Sequence, residues 1–185
     1  MRQLSETIEA LEKVLSFEGD KHEQAKGEKG QYKYIPFSPS EFCNQMSLVN
    51  GYLGHDSVRF VDVGCGIGTK VVLGCLCLKN YSKGESFNGI EITPEYCEVA
   101  ERLLERNTIP GTIYNQDALK TNYSPWNVIY FYSPLSNVEL EKRLEARILK
   151  TALPGTVIVG NLRKTDNRVW EKHCLRLNNC VHVKK

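Results

Sequence analysis

Between Val61 and Lys70 the chain reads VDVGCGIGTK, with Gly64, Gly66 and Gly68 at alternate positions behind a short apolar run and Asp62 two residues before the first of them. Glycines this close together let a ligand come within contact of the backbone, where a Cβ would intrude. A helix starting directly behind them would add free N–H groups. Two more acids can join this loop. Glu91 ends the next apolar run, about 25 residues on, where a carboxylate reaches ribose hydroxyls. Asp117 follows the third run, where it can meet an adenine edge. Three polar handles at three successive strand ends would converge on one crevice, and the chemistry they offer is recognition of a nucleoside.

The spacing narrows which nucleoside. A dinucleotide loop needs GxGxxG, whose last glycine lets the helix pack close to the strand. Counted from Gly64 that place is Thr69, so the fingerprint fails. The phosphate loop GxxxxGK[ST] is also absent. What stands instead is D-x-G-x-G-x-G over Asp62–Gly68. A reacting wall is offered by Tyr130-Phe131-Tyr132-Ser133-Pro134-Leu135. Tyr132 and Ser133 supply hydroxyls there, and the aromatic faces could stabilise a cationic amine. The alternative for these aromatics is ordinary core packing, which suits Phe131 best.

These residues need elements to position them. Short apolar runs predict strands over 58–64, 87–92, 111–116, 126–132 and 156–161. Between them, helices are predicted over Thr69 to Asn80, Pro94 to Arg106, with proline in its first turn, and Val138 to Thr151. Ser40 is read as the cap of a helix from about Glu41 to Tyr52. CLRLNNCVHVKK reads as two short strands around an Asn-Asn turn. Leu4, Ile8, Leu11 and Leu15 predict an amphipathic helix over 3–17, followed by a polar connection and then the extended YKYIPFSPS. Alternating strands and helices imply a doubly wound α/β fold, a mostly parallel seven-stranded sheet with helices on both faces and one antiparallel addition at an edge. The expected organisation is residues 1–31 as N-terminal helix and linker, and 32–185 as one Rossmann-type domain.

The D-x-G-x-G-x-G string resembles the first motif of the class I S-adenosylmethionine-dependent methyltransferases. GIEITPEYCEVAE is similar to that family's second motif, YNQDAL to its third, and VIYFYSPL occupies the place of the fourth. The likeness runs over roughly residues 36–161. It implies S-adenosyl-L-methionine as cofactor and a cofactor site made by Asp62, Gly64, Cys65, Gly66, Gly68, Glu91, Ile92, Asp117 and Ala118. In it the glycines would approach the methionine part, Asp62 would orient the loop or meet the amino group, Glu91 would take the ribose, Ile92 an adenine face and Asp117 the adenine amino group. Tyr132 and Ser133 would be the catalytic residues, with no metal. Methyl transfer to a nitrogen or oxygen nucleophile follows, on an unidentified protein or small-molecule acceptor. The (Asp/Asn)-Pro-Pro-(Tyr/Phe) string of base N-methylating enzymes is missing, and no Pro-Cys pair exists for cytosine-C5 chemistry. YIPFSPSEFCNQM is similar to the entry segment of some non-SET protein lysine methyltransferases, which would lay Ser38 and Pro39 over the cofactor; an ordinary capped turn is the other reading. Two alternatives stay open, a binding module that keeps the pocket without transfer, and an RNA methyltransferase.

Composition bounds these readings. With 185 residues and a formal charge of +2 the chain is no blanket polyanion binder. Its stretch from Arg163 to Lys185, however, carries seven Lys/Arg against two Asp/Glu, either a solvated basic edge or a surface that steers an acidic partner such as RNA. Seven cysteines without CxxC or zinc spacing suit reduced thiols in the cytoplasm better than a disulfide frame. Glu6, Glu9 and Glu12 argue against a transit peptide, and no run approaches the ~20 apolar residues of a membrane span.

Overall fold

The computed structural model describes residues 38–54, 56–78, 84–161 and 163–185. The expected helix over 3–17, the connection after it and most of YKYIPFSPS lie outside these residues.

Helix α1 (Pro39–Leu53) opens two residues earlier than expected, and its cap is Ser38 rather than Ser40. The Ser38 hydroxyl accepts the Glu41 N–H, and Pro39 takes the first helical position, where a missing N–H costs nothing. The S-x-x-E spacing of Ser38 and Glu41 carried this signal in the sequence. There follow β1 (Arg59–Val63), α2 (Thr69–Leu78), β2 (Ser86–Glu91), α3 (Pro94–Arg106), β3 (Ile113–Asn115), β4 (Val128–Tyr132), α4 (Val138–Thr151), β5 (Val157–Asn161), α5 (Asn167–His173), β6 (Cys174–Arg176) and β7 (Val181–Lys184).

Seven strands form one sheet in the order β3-β2-β1-β4-β5-β7-β6. Six point the same way, and β7 alone is reversed, running antiparallel to both β5 and β6. The chain works outward from β1 to β3 and then returns to β4 on the other side of β1. The switch point therefore lies between β1 and β4, where Asp62 pairs with Tyr130 and Val63 with Phe131.

Strand alternation sorts the core into two layers. Phe60, Tyr130 and Val159 face the layer filled by Phe42, Met46 and Val49 of α1, Val71 and Leu78 of α2 and Leu104 of α3. Val61, Ile129, Phe131 and Ile158 face Leu144 and Ile148 of α4 and Trp170 of α5. Both faces are covered, which is why these strands read as continuous apolar runs.

Two further elements depart from expectation. Strand β3 is shorter than 111–116. Ahead of it β2 donates Phe87 N–H to Pro110 O and Gly89 N–H to Thr112 O, but the Thr112 N–H goes to the Asn88 side chain and not to the β2 backbone. Helix α5 was not expected. Its cap is Asp166, which accepts the Arg168 N–H, and its single buried anchor is Trp170, too little pattern for a seven-residue helix to announce itself. Among the described residues no helix is long and apolar enough to cross a membrane, and no cluster of three or more His, Cys, Asp or Glu could hold a metal ion.

Candidate functional site

The glycine loop leaves β1 at the switch point. Gly64 and Cys65 both donate their N–H groups to Ile90 O, 2.8 and 3.0 Å away, which folds the loop against the end of β2. A Cβ on Gly64 would stand 2.4 Å from Pro134 Cβ, so only glycine lets the segment after β4 pack on the loop. Gly66 is the tip. It holds φ +53° and a Cβ there would meet nothing within 4 Å, so its backbone faces open space. Gly68 is buried at the start of α2, where its carbonyl accepts the N–H groups of Val71 and Val72. Cys65 turns its thiol beneath the loop, where Gly89 makes room for it; a Cβ on Gly89 would lie 2.4 Å from that sulfur.

Two carboxylates stand beside the tip. Glu91 Oε2 accepts the Gly66 N–H at 2.9 Å, while Oε1 accepts those of Ile92 and Thr93, each at 2.9 Å. Three backbone donors hold this carboxylate as an acceptor at the mouth of the loop. Asp62 is buried, and its Oδ2 has no hydrogen-bond partner among the described residues. Burial pushes its carboxyl up from 3.8 to about 6, with Lys70 pulling the other way and Glu91 adding to the rise. An unpartnered buried carboxylate costs stability unless something cationic meets it. Ile92 leaves half of its surface exposed (50%) directly after Glu91, an apolar face that the described residues do not cover. Asp117 is half-buried, accepts the Leu119 N–H and pairs with Lys120 at 3.4 Å, and the half-buried Ala118 follows it.

The wall after β4 divides by depth. Phe131 is core and stacks on Trp170, and Tyr130 is buried with its ring centroid 4.9 Å from that of Phe42, edge to face. Tyr132 is half-buried. Ser133 is 2% exposed at φ +44°, a left-handed conformation that costs a non-glycine residue about 1–3 kcal/mol, and its hydroxyl has no partner among the described residues. The aromatic faces expected to hold a cationic amine already carry one of the chain's own, because Lys70 Nζ lies 5.9 Å from both the Tyr130 and Tyr132 ring centroids. This lysine is the last residue of the glycine motif and went unassigned in the sequence.

Sequence reasoning also missed what holds this wall. Gln45 of α1 and Asn161 of β5 exchange two amide hydrogen bonds, 2.8 and 3.2 Å, and Asn161 reaches Tyr130 Oη at 3.4 Å. On the other face, Glu141 and Glu145 of α4 are fully buried one turn apart. Glu141 accepts the Leu135 N–H and so fixes the segment after β4; burial raises its carboxyl from 4.5 to about 7. Glu145 accepts the N–H groups of Lys164 and Thr165 and Trp170 Nε1, fixing the segment after β5. An acid on a helix reads from sequence as solvated, and its burial is visible only once the loops arrive. Arg163, read with the basic edge, is likewise structural, with its guanidinium 4.8 Å from the Trp170 ring centroid and bonded to Asn179 O.

This arrangement is similar to known structures. An RNA methyltransferase from Salinibacter ruber, solved with S-adenosyl-L-homocysteine, matches 80% of the chain and 91% of its own length at 17% identity, with a TM-score of 0.56. The mitomycin 7-O-methyltransferase matches 78% of the chain at 16% identity and TM-score 0.54, and an amino pentose methyltransferase from Micromonospora echinaspora matches 70% at 16% and 0.53. The chain spans 53% and 58% of those last two proteins. No family model matches it, and no curated protein matches it in sequence. The fold is that of the class I S-adenosylmethionine-dependent methyltransferases.

Proposed function

We propose that the chain is an S-adenosylmethionine-dependent methyltransferase that acts on a nitrogen or oxygen nucleophile. The observation that carries this reading is the buried Asp62 at the switch point, whose Oδ2 has no hydrogen-bond partner among the described residues, next to a glycine tip with open space before it. A ligand that brings a cation to Asp62, hydroxyls to Glu91 and a flat apolar ring to Ile92 would satisfy all three, and a nucleoside that carries an α-amino acid has those groups. The S-adenosyl-L-homocysteine in the similar Salinibacter ruber enzyme supports the same choice.

When bound, the cofactor supplies a methyl group on an already activated sulfonium. The protein's part is then to align and to exclude water. In this reading Gly64, Gly66 and Gly68, with the Cys65 backbone, form the cradle. Asp62 meets the ammonium, Glu91 the ribose, Ile92 one adenine face, and Asp117 with Ala118 the adenine edge. Tyr132 offers its hydroxyl to the acceptor. Ser133, whose hydroxyl has no partner among the described residues, is the second candidate for contact with the reacting group. Lys70 on the aromatic faces disfavours a cationic acceptor and suits a neutral or anionic one.

Isothermal titration with S-adenosyl-L-homocysteine tests the cofactor site. Binding is expected for the wild type and lost in Glu91→Ala and Gly66→Val; unchanged affinity in either variant overturns the assignment. A labelled-methyl assay over protein, RNA and metabolite pools then tests transfer. Binding with no labelled product in any pool would replace the enzyme by a cofactor-binding module.

A further inference from the structure

Two of the seven cysteines meet away from the glycine loop. Cys43 lies in α1 and Cys77 in α2, and Cys77 Sγ donates to Cys43 Sγ at 3.3 Å. Bonded sulfurs sit about 2.05 Å apart, so closure needs an approach of about 1.2 Å. Both thiols are half-buried, within reach of a small oxidant, whereas Cys65, Cys75, Cys97 and Cys174 are buried.

We propose that Cys43 and Cys77 form a redox-active dithiol site that closes reversibly to a disulfide on reaction with a low-molecular-weight disulfide such as oxidised glutathione. The order of attack follows from the hydrogen bond. Cys77 is the donor, and burial together with that bond pushes its thiol up to about 12, so it keeps its proton while Cys43 attacks. The Cys43 thiolate displaces one thiol from the oxidant and forms a mixed disulfide. Cys77 then loses its proton and attacks the Cys43 sulfur, releasing the second thiol. Two protein thiols are oxidised by two electrons, one external disulfide is reduced to two thiols, and both protons leave on them.

The bond would join two helices that serve the candidate site from different sides. Helix α1 presses Phe42 on Tyr130 and pairs Gln45 with Asn161, behind the wall that follows β4. Helix α2 begins at the glycine loop. A link between Cys43 and Cys77 closes a loop of the chain that contains all of β1 and the glycine motif, and it ties α1 to the body of the fold.

The test uses the full 185-residue chain, equilibrated in glutathione buffers from fully reduced to fully oxidised. Thiols counted in denaturant should fall from seven to five, with loss of two hydrogen atoms in the intact mass and a Cys43–Cys77 cross-link on peptide mapping. Dithiothreitol should restore all seven, and the oxidised form should melt higher by several degrees. Cys77→Ser should instead retain glutathione on Cys43, and Cys43→Ser should show neither link nor adduct there. Seven thiols at every ratio, a cross-link between other cysteines, or stable glutathione adducts on the wild-type pair would each overturn the proposal. Circular dichroism of both serine variants separates loss of the link from loss of the fold.

Discussion

Replacing Asp62 by asparagine should stabilise the free protein while removing its affinity for the proposed cofactor. The carboxyl titrates at about 6 in the fold against an ordinary 3.8, because burial disfavours the charged form. The folded chain thus holds the proton more tightly than the unfolded one. Stability is then greatest below 3.8, declines as pH rises toward 6, and stays low above that. The gap between the two values corresponds to about 3 kcal/mol once the group is ionised. The amide of the Asp62→Asn variant has nothing to ionise, so urea unfolding at pH 8 should find it up to about 3 kcal/mol more stable than wild type. At pH 4 the difference should shrink to a fraction of that. Titration at pH 7.5 with S-adenosyl-L-homocysteine should show at least tenfold weaker binding, since the ammonium loses its charged partner. A variant no more stable than wild type at pH 8, or a stability gap that does not widen between pH 4 and pH 8, would refute the claim that ionising the buried Asp62 carboxyl costs the free protein stability.

Other substitutions read different parts of the same architecture. Glu141 should add its own decline in stability as pH rises from 4.5 through about 7, and Glu141→Gln, which keeps an acceptor for the Leu135 N–H, should flatten that portion of the urea midpoint against pH. Glu145→Ala leaves the N–H groups of Lys164 and Thr165 and the Trp170 indole without their acceptor. A loss of about 3 kcal/mol or more in chemical unfolding is expected. Gly89→Ala drives a methyl into the Cys65 sulfur and should cost about 1–3 kcal/mol; Cys65→Ala in the same chain should restore much of it, a coupling that a double-mutant cycle measures directly.

The sequence by itself determined the alternation of strands and helices, the antiparallel closing pair and the loop at Asp62–Gly68, because these are written in local apolar periodicity and in where glycine is tolerated. It also placed Glu91 and Asp117 at strand ends, since an acid that follows an apolar run marks where a strand leaves the core. The ladder joining β1 to both β2 and β4 was decided by tertiary structure, and it turned Glu91 into a neighbour of the Asp62–Gly68 loop. The same holds for the polar groups that act only through distant partners. Gln45 meets Asn161 across 116 positions, and Glu145 meets Trp170 across 25. Neither leaves a local signature, because a buried polar side chain looks like a solvated one until its partner is in place. Lys70 is the plainest case. It stood at the end of the opening motif from the start, and only the packing of β4 beside β1 set it against Tyr130 and Tyr132.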